Sequence, residues 1–524
     1  MKAFVLAGFS ALILAACEVG REPGVIAPVE GFAGMVAGDE PRAVTVGRDV
    51  LGNGGSAADA AVAMYFTMTA TMPSRVGIAG SGLCLAHNSG LAHRDREPSV
   101  EVIEFLPDPA DPGRLQMAGP RAMAVLHARH GLQRWELLLS DAERLTRSGH
   151  SVSRAFARDI ADAAAFVSAD PELRLALSNK AGELAGEGDQ IVLSGLSGLI
   201  SGLRRQGAGY LYGGAFATRF VEAAQAAGYP ITSDDLRQMV PQVREPLAIP
   251  LGDNFAYFPP NDGGLLSAQM WGMLSEVESY RGASQAEKAH LLAEAGQRAF
   301  AQRSAWLWRG DQPVEPLVSE DHLELLLAGY SDRQHSKAAV AEGTTPGPVS
   351  NPFTAGFVVA DSWSNAVVCS FSINGLFGAG RMIPGTGILV PREATPGANS
   401  LSAAIISNTL NGTVYFAATA TGGLAAPAAL TRVMLEGSGP DGSVADAIAA
   451  PRLVNVAGPD ITFYEPNLDP AVLAALRQRG HDLQPEPGVG RANAFNCPTG
   501  LRFDNRNCVS GTDSRGFGLS VRVQ

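Results

Sequence analysis

The sequence predicts a mixed α/β protein, because stretches with a helical hydrophobic period occur together with short runs rich in β-branched and aromatic residues. The helical period prevails in residues 120–335, and β-rich runs are frequent after residue 352. The 524 residues, 46% hydrophobic and 18% charged, can bury a large core without disulfide support. Length alone is compatible with one large α/β unit or with two or three domains.

The segment that follows residue 33 predicts two helices and two strands. Apolar residues in Val44–Leu51 predict a helix that ends at the Gly52–Gly55 break. Ser56 is a suitable N-cap for a second, alanine-rich helix, because its side-chain oxygen can accept a hydrogen bond from a free backbone N–H. The glycine-rich turn in Gly77–Leu85 leads into a strand, and Val100–Phe105 predicts another.

Later segments repeat both patterns. The helical period predicts helices near Trp135–Leu145, Leu199–Gln206, Ala215–Ala226, Ala286–Trp308, Pro427–Leu435 and Pro470–Arg479. Two β-rich runs, Phe353–Asp361 and Ala366–Ile373, are joined by a short polar turn and predict a hairpin. Further strands are predicted at Gly387–Val390, Thr413–Thr419 and Ile461–Tyr464.

The N-terminus has the pattern of an export signal. The apolar stretch Phe4–Ala16 is too short to span a membrane permanently and follows a positive charge. Small residues before Cys17 resemble a bacterial lipobox, so we predict a signal peptide at 1–17, lipidation of Cys17 and a tether at 18–33. An ordinary signal peptide cleaved near Ala16 is the alternative. Both kinds of signal predict export. The lipobox further predicts a periplasmic protein that is held at the outer membrane only by its lipid anchor.

Export permits disulfides, and the chain has five cysteines. Cys497 and Cys508 are separated by turn-forming residues and are the predicted pair. Cys84 and Cys369 lie in apolar, strand-like runs, so we predict that they are buried thiols.

Charge and residue spacing exclude some partners. A net charge of −12 without a Lys/Arg run argues against nucleic acid, because phosphate binding needs basic patches. No CxxC spacing or His/Cys cluster indicates a metal, and no cofactor is predicted. His127 and His130 are three residues apart, but no carboxylate or cysteine completes a ligand set, so we predict a helix surface there.

Thr354 stands at the head of a strand, directly after the polar, turn-rich linker 336–352. In an N-terminal nucleophile hydrolase, such a hydroxyl attacks the preceding carbonyl, here that of Phe353, and the resulting ester is hydrolysed. The freed α-amino group has a reference pKa of about 7.7–8.0 and can act as the base for its own hydroxyl. The alternative is that Thr354 is only a β-forming residue.

A series of motifs extends over nearly all of the mature chain. In order, they are Gly34, Pro41, Gly54–Ala63, Gly77–Gly82, Pro259–Gly264, Thr354, Phe371–Asn374, Phe377–Gly380, Gly387–Leu389, Thr421–Gly423 and Asp513–Arg515. Their residues and their order resemble the γ-glutamyltransferase family of N-terminal nucleophile hydrolases. The resemblance implies an α/β fold built as a four-layer αββα sandwich. It also implies a large portion, 34–353, and a small portion, 354–524, which associate as one intertwined domain.

The resemblance also implies roles for individual residues. Gly422 and Gly423 would supply backbone N–H groups to an oxyanion hole, where they stabilise the developing tetrahedral charge. Ser372 replaces a family Thr whose hydroxyl lies near the nucleophile. Asn374 matches a residue that contacts the amino-acid end of the substrate, and Ser402 matches the first of two serines that hold the α-carboxylate.

Several positions depart from the family pattern. The motif at the cut is commonly Thr-Thr-His-Phe/Tyr, but here it is Thr354–Phe357 with the sequence Thr-Ala-Gly-Phe. Leu106 stands where an Arg usually grips a glutamyl α-carboxylate, and such a bidentate pair is hard to replace with an apolar group. Arg392–Thr395 contains Glu393 but no Asp for the glutamyl amino group, and Ala403 replaces the second serine. The Thr pair in Thr344–Pro346 precedes a proline and no strand, so it is not the nucleophile.

The sequence therefore predicts a self-cleaving amidohydrolase that transfers or hydrolyses a γ-glutamyl or related acyl amide, for example glutathione. Its partner would be a small amide or a peptide. The alternative is a catalytically degenerate family member with a binding or structural role in the cell envelope. Retention of Thr354, Ser372, Asn374 and the glycine pair favours an enzyme, whereas loss of the glutamyl contacts favours the alternative or a changed substrate.

Overall fold

The computed structural model describes residues 31–92, 97–108, 115–275, 278–307, 313–341, 349, 353–394 and 400–524. The predicted signal peptide with Cys17, most of the tether and most of the linker therefore lie outside the described residues. Among the helices that are described, none is both long and apolar enough to cross a membrane.

Helices and short strands alternate along the chain. Helices α1–α19 are Pro41–Gly52, Ala57–Thr71, Gly119–His130, Trp135–Leu138, Ser140–Ser148, Arg154–Asp162, Ala164–Ser168, Pro171–Ala176, Ser194–Gln206, Gly214–Ala226, Ser233–Gln238, Asp262–Ser275, Glu278–Gly282, Gln285–Ala301, Arg303–Trp306, Glu320–Leu327, Ala426–Gly437, Val444–Ala449 and Pro470–Gln478. Strands β1–β20 are Gly34–Gly38, Ser81–Asn88, Ser99–Phe105, His150–Ser151, Gln190–Ile191, Gln242–Arg244, Leu247–Leu251, Asn254–Phe258, Thr354–Asp361, Ala366–Ser372, Met382–Ile383, Ile388–Leu389, Ser402–Asn408, Thr413–Thr421, Leu453–Asn455, Thr462–Tyr464, Leu483–Pro485, Arg491–Asn496, Val509–Thr512 and Leu519–Val523. Single turns of 3-10 helix lie at Ala208–Leu211, Glu315–Val318 and Gly423–Ala425.

Two antiparallel sheets form the centre of the molecule. The first has the strand order β20-β1-β9-β10-β2-β3-β6, and the second has the order β19-β18-β14-β13-β8-β7. In the first sheet, β1 pairs with β20 on one side and with β9 on the other, so that Val36 lies opposite both Val521 and Val359. Strands from before and after residue 354 therefore lie side by side within one sheet.

The layers follow from the side-chain alternation of the strands. Phe357 and Val359 face helices α1 and α2 on the outside of the first sheet, whereas Val358 faces inward. In the second sheet, Ile405 packs in the same core between the sheets. The residues that alternate with such inward-facing positions lie on the other face of the second sheet and pack under α12 and α17. The structure thus confirms the four-layer αββα sandwich.

The predicted local signals are present. Ser56 Oγ accepts a hydrogen bond from Asp59 N, and Asp59 accepts one from Ser56 N, which closes a capping box at the start of α2. The predicted hairpin is β9–β10, with Thr354 opposite Ser372. His127 and His130 lie in the last turn of α3 as predicted, but His130 Nε2 lies 2.7 Å from an oxygen of Glu101, a partner that the sequence did not reveal.

Two predicted helical runs are each divided in the structure. The run near Trp135–Leu145 becomes α4 and α5, with Leu139 between them. Ser140 Oγ donates a hydrogen bond to Leu137 O at 2.6 Å, which is the local competition by which serine interrupts a helix. The run at Ala286–Trp308 similarly becomes α14 and α15, separated at Gln302.

The disulfides agree with one sequence prediction and correct another. Cys497 is bonded to Cys508, the pair that the sequence predicted. The prediction that Cys84 and Cys369 are thiols is wrong, because they form a second disulfide. They lie directly opposite each other on β2 and β10, with Cα atoms 4.1 Å apart. Burial was predicted correctly, but the pairing of strands 285 residues apart could not be derived from local pattern.

Candidate active site

Thr354 is the first residue of β9, and its side chain is directed between the two sheets, where the residue is only 1% exposed. Its Oγ1 accepts a hydrogen bond from Gly422 N at 2.9 Å. Its carbonyl oxygen accepts one from Arg491 Nη2 at 3.2 Å. The hydroxyl predicted as a nucleophile is therefore fixed by the opposite sheet, where β14 ends and β18 begins.

Gly422 and Gly423 form the turn between β14 and α17. Gly422 has φ +127° and Gly423 has φ +66°, both in the region that favours glycine. A Cβ on Gly422 would lie 2.7 Å from Gly490 Cα, so no larger residue fits without moving the turn. The turn brings Gly422 N–H to the Thr354 hydroxyl, a position where a donor stabilises developing negative charge.

Ser372, the last residue of β10, and Asn374, two residues further on, lie next to Thr354. Ser372 is paired directly with Thr354 across the strands, and its Oγ accepts a hydrogen bond from Asn374 N at 2.9 Å. Asn374 has φ +61°, a conformation that Asn tolerates better than most residues. Its Nδ2 donates to Arg392 O at 2.9 Å. The structure thus brings together Thr354, Ser372 and Asn374 as the sequence predicted.

Ser402 does not join this group. Its Oγ donates to Gly263 O at 3.3 Å, where α12 begins. Ala404, two residues further on, packs with α12 and α17, whereas Ala403 faces the core between the sheets. Because side chains alternate along a strand, Ser402 lies on the helix side of the second sheet, away from Thr354. The role implied for Ser402 is therefore not supported by its position.

A cavity of about 350 Å³ opens next to the Thr354 contacts. Gly422 and Arg491, which both bond to Thr354, lie in its wall. The remaining charged side chains of the wall are Asp39, Arg75, Arg158, Asp159, Asp162, Glu486 and Arg515. A cavity with guanidinium and carboxylate groups on its wall can bind a polar, charged acyl group.

Buried hydrogen bonds hold this wall in place. Arg75 and Asp159 form a bidentate pair, with Nε–Oδ2 at 2.8 Å and Nη2–Oδ1 at 2.6 Å. Asp39 Oδ2 accepts from Gly356 N at 2.9 Å, two residues after Thr354. The carboxylate thereby fixes the start of β9, and the wall is preorganised before any substrate arrives.

Sequence reasoning did not identify Arg491 or Asp39. Burial lowers the pKa of Arg491 to about 10, and the guanidinium therefore remains protonated at neutral pH. Arg491 lies opposite Thr421 across β14 and β18, which puts it beside the glycine turn. That pairing spans 70 residues and has no local sequence signal, although the Gly488-Val489-Gly490-Arg491 segment shows a turn that leads into a strand.

Two of the departures from the family pattern can be placed. Leu106 follows Phe105, which lies opposite Gly82, and Gly82 lies opposite Phe371, next to Ser372. Leu106 therefore lies at the same end of the sheet as Thr354, packed against the core between the sheets. Glu393 is exposed at the end of a described segment, and residues 395–399 lie outside the described part.

Comparison with known proteins agrees with this architecture. The crystal structure of cephalosporin acylase from Bacillus halodurans superposes with a TM-score of 0.77 at 20% identity, covering 98% of this chain and 100% of that chain. The chain is 25% identical over 527 residues to the glutathione hydrolase proenzyme of Escherichia coli, covering 91% of this chain and 90% of that protein. It is 28% identical over 521 residues to the acylase ACY 1 proenzyme of Pseudomonas sp. strain SE83, covering 90% and 91%.

The four-layer sandwich defines the fold class, which the chain shares with the cephalosporin acylase. Within that class, the family model for gamma-glutamyltranspeptidase matches residues 43–520. The chain belongs to the gamma-glutamyltranspeptidase family, and its relatives are enzymes that include glutathione hydrolases and acylases.

Proposed function

We propose that this protein is a self-processing amidohydrolase in which Thr354 first cuts the chain after Phe353 and then carries acyl transfer. The observation that carries the proposal is the 2.9 Å hydrogen bond from Gly422 N to Thr354 Oγ1 at the edge of a charged cavity. A Thr that serves only as a β-forming residue would not require a glycine turn with positive φ directed at its hydroxyl.

The atoms of the proposed self-cleavage balance with groups of the chain and one water molecule alone. Thr354 Oγ attacks the carbonyl carbon of Phe353, the hydroxyl proton passes to the Thr354 nitrogen, and the C–N bond breaks. The acyl group thereby moves from nitrogen to oxygen as an ester. Water hydrolyses the ester, which leaves a carboxylate on Phe353 and a free α-amino group on Thr354. The negative charge of the intermediate develops on the former carbonyl oxygen of Phe353, and Gly422 N–H, which lies beside the attacking Oγ1, is proposed to stabilise it there.

The same atoms then act on an external amide. The α-amino group takes the hydroxyl proton, Oγ attacks the substrate carbonyl, and the proton passes to the leaving amine. The N–H groups of Gly422 and Gly423 are proposed to bind the oxyanion of the tetrahedral intermediate. Water then releases the acyl group in hydrolysis, or an amine takes it in transfer.

The substrate class that we infer is an amide of a γ-glutamyl group or of a related acyl chain that carries a carboxylate. Leu106 supplies no charge at the end of the sheet, but guanidinium groups lie in the wall of the cavity next to the Thr354 contacts. Of these, Arg158 is the most accessible, with a side chain 64% exposed and an ion pair to Asp162 at 3.7 Å, too long for a hydrogen bond. Both glutathione hydrolases and acylases among the relatives fit this class.

The proposal is tested by denaturing gel electrophoresis under reducing conditions. We expect the wild-type protein to separate into the portions that end at Phe353 and begin at Thr354. Thr354→Ala should remain one intact chain, because its methyl group cannot attack. Thr354→Ser should still be cut, because the hydroxyl is retained. An uncut wild-type protein, or a cut Thr354→Ala variant, would overturn the proposal.

The disulfide between Cys84 and Cys369 predicts a further result on the same gel. The two cysteines lie on opposite sides of the proposed cut, so the bond would join the portions covalently. Without reductant, the cut wild-type protein should therefore migrate as one species, and with reductant as two. Cys369→Ala should give two species in both conditions. Separate portions in unreduced wild-type protein would contradict this disulfide.

Arg158→Ala is expected to raise KM about tenfold for an acyl amide with a terminal carboxylate, since a hydrogen bond to a charged group contributes about 1.5–3 kcal/mol. An amide whose acyl chain has no carboxylate should be turned over as before. Arg205→Ala is the matched control, because Arg205 is exposed on α9 and bonds to the Ser201 carbonyl. Equal KM changes for both substrates would show that Arg158 does not read the carboxylate.

A further inference from the structure

A second polar cluster lies in the outer layer, where α14 packs against α19 and β15. Its central residues are His290 and Glu294, four positions apart on α14, and His481 from the turn after α19. All three are at most 5% exposed. Neither these residues nor their bonded neighbours line the cavity beside Thr354, so the cluster is separate from the candidate active site.

Three donor atoms of this cluster converge. His290 Nδ1, Glu294 Oε1 and His481 Nε2 all lie within 4.8 Å of one another. His290 Nδ1 is 2.7 Å from His481 Nε2, and His481 Nε2 is 3.9 Å from Glu294 Oε1. Two imidazole nitrogens and one carboxylate oxygen are the set of protein ligands that zinc takes when its fourth position holds water.

The outer atom of each ring has its own partner. His290 Nε2 lies 2.7 Å from Ser331 O, which can only accept, so Nε2 carries the proton and the Nδ1 lone pair is directed into the cluster. Without an ion, His481 Nε2 donates to His290 Nδ1 at 2.7 Å. His481 Nδ1 lies 3.3 Å from Thr462 Oγ1, which can accept a hydrogen bond from Nδ1 when the ring proton moves there on loading and leaves the Nε2 lone pair for the ion. Such outer partners orient the histidine ligands of metal sites.

The carboxylate is held in the same way. Glu294 Oε1 lies 2.5 Å from His335 Nδ1, and Glu294 Oε2 accepts from Arg298 Nη1 at 2.6 Å and from Ser336 Oγ at 3.1 Å. His335 in turn lies 3.0 Å from Asp460 Oδ2. These contacts fix the orientation of Glu294, whose Oε1 also lies 3.9 Å from His481 Nε2.

We propose that His290, Glu294 and His481 form a site for a divalent cation of the zinc class, with water as the fourth ligand. A set of two imidazoles and one carboxylate suits zinc better than magnesium or calcium, which prefer oxygen ligands only. Tetrahedral zinc with ligands at about 2.0–2.1 Å separates two donors by about 3.3 Å, so the two rings must move apart by about 0.6 Å on loading. This cluster has no local signal in the sequence, because His481 is 191 positions from His290.

The position of the site indicates what the ion does. His290 and Glu294 precede Thr354, and His481 follows it, so the ion would join the two portions of the chain at a second point besides the disulfide. Only this joining role rests on the proposed cut, because all ligands are in place in the uncut chain. A cavity of about 290 Å³ lies beside the cluster, and its wall includes Arg298 and Ser336, which both donate to Glu294 Oε2.

The test is metal uptake by the full protein after it has been stripped with a chelator and dialysed. With zinc sulfate as the probe and mass spectrometry of the metal as the measurement, we expect one equivalent per chain in both the wild-type and the uncut Thr354→Ala protein. Loading should raise the midpoint of thermal unfolding. Cobalt chloride should give the visible absorption of a four-coordinate nitrogen and oxygen site, a signature that does not depend on any variant.

Substitutions locate the site. His481→Gln and Glu294→Gln should abolish stoichiometric uptake, and Thr462→Val, which keeps all three ligands, should weaken it about 10- to 100-fold. His322→Gln is the matched control, because His322 lies on α16 in the neighbouring cavity wall and outside the cluster. The proposal is overturned if stripped wild-type protein takes up no stoichiometric zinc or cobalt, which would leave a hydrogen-bonded cluster only. Uptake that persists in both His481→Gln and Glu294→Gln would also overturn it.

Discussion

Gly422→Ala is expected to lower kcat about 100- to 1,000-fold, the loss that follows removal of one oxyanion donor in other enzymes. The added Cβ would lie 2.7 Å from Gly490 Cα, and φ of +127° is unfavourable for alanine. Relief of both conflicts must rotate or shift the turn, which moves Gly422 N–H away from Thr354 Oγ1. Self-cleavage should slow for the same reason, since it passes through the same kind of oxyanion.

The measurement is the rate of turnover of an acyl amide, together with the fraction of cut chain over time on a reducing gel. Gly488→Ala is the matched control: it lies in the wall of the same cavity, and an added Cβ meets no atom of the described residues within 4 Å. Normal rates in Gly422→Ala would mean that the turn does not supply the oxyanion donor. Equal losses in Gly488→Ala would mean that the cavity wall as a whole is sensitive.

Features that are local in sequence could be predicted. The cap at Ser56, the β9–β10 hairpin and the glycine turn at Gly422 each depend on residues within one short segment, and the structure contains all three. Ser372 was placed near Thr354 by the family resemblance, and the hairpin that contains both pairs them directly. The order of motifs along the chain then indicated the sandwich, which local pattern alone does not distinguish from other α/β folds.

Features that depend on distant pairing could not be predicted. Cys84 and Cys369 were assigned as thiols because nothing local shows that β2 and β10 are neighbours. Arg491 reaches Thr354 only because β18 pairs with β14. For Ser402, the motif match gave a position along the strand, whereas the face on which its side chain lies depends on the register of that strand.

Asp513→Ala is expected to lower the free energy of unfolding by about 3–5 kcal/mol, because it leaves a buried cation without its partner. Arg452 and Asp513 have side chains that are each 1% exposed, with Nη2 and Oδ2 2.8 Å apart. Asp513 also accepts from Arg515 Nη1 at 3.1 Å, and Arg515 is paired with Glu465. Removal of one carboxylate therefore disturbs two guanidinium groups that are held away from water.

The same carboxylate links stability to the candidate site. Asp513 Oδ2 accepts a hydrogen bond from Ala492 N at 3.0 Å, directly after Arg491, and Arg515 lines the cavity. Urea unfolding should be measured in the uncut Thr354→Ala background, so that a single chain unfolds. Asp504→Ala is the control, because its pair with Arg506 is at the surface, where such pairs contribute little. If Asp513→Ala unfolds at the same urea concentration as its parent, the network does not stabilise β18. A loss of stability would instead show that this charged network stabilises β18, the strand that positions the Arg491 guanidinium on the Thr354 carbonyl.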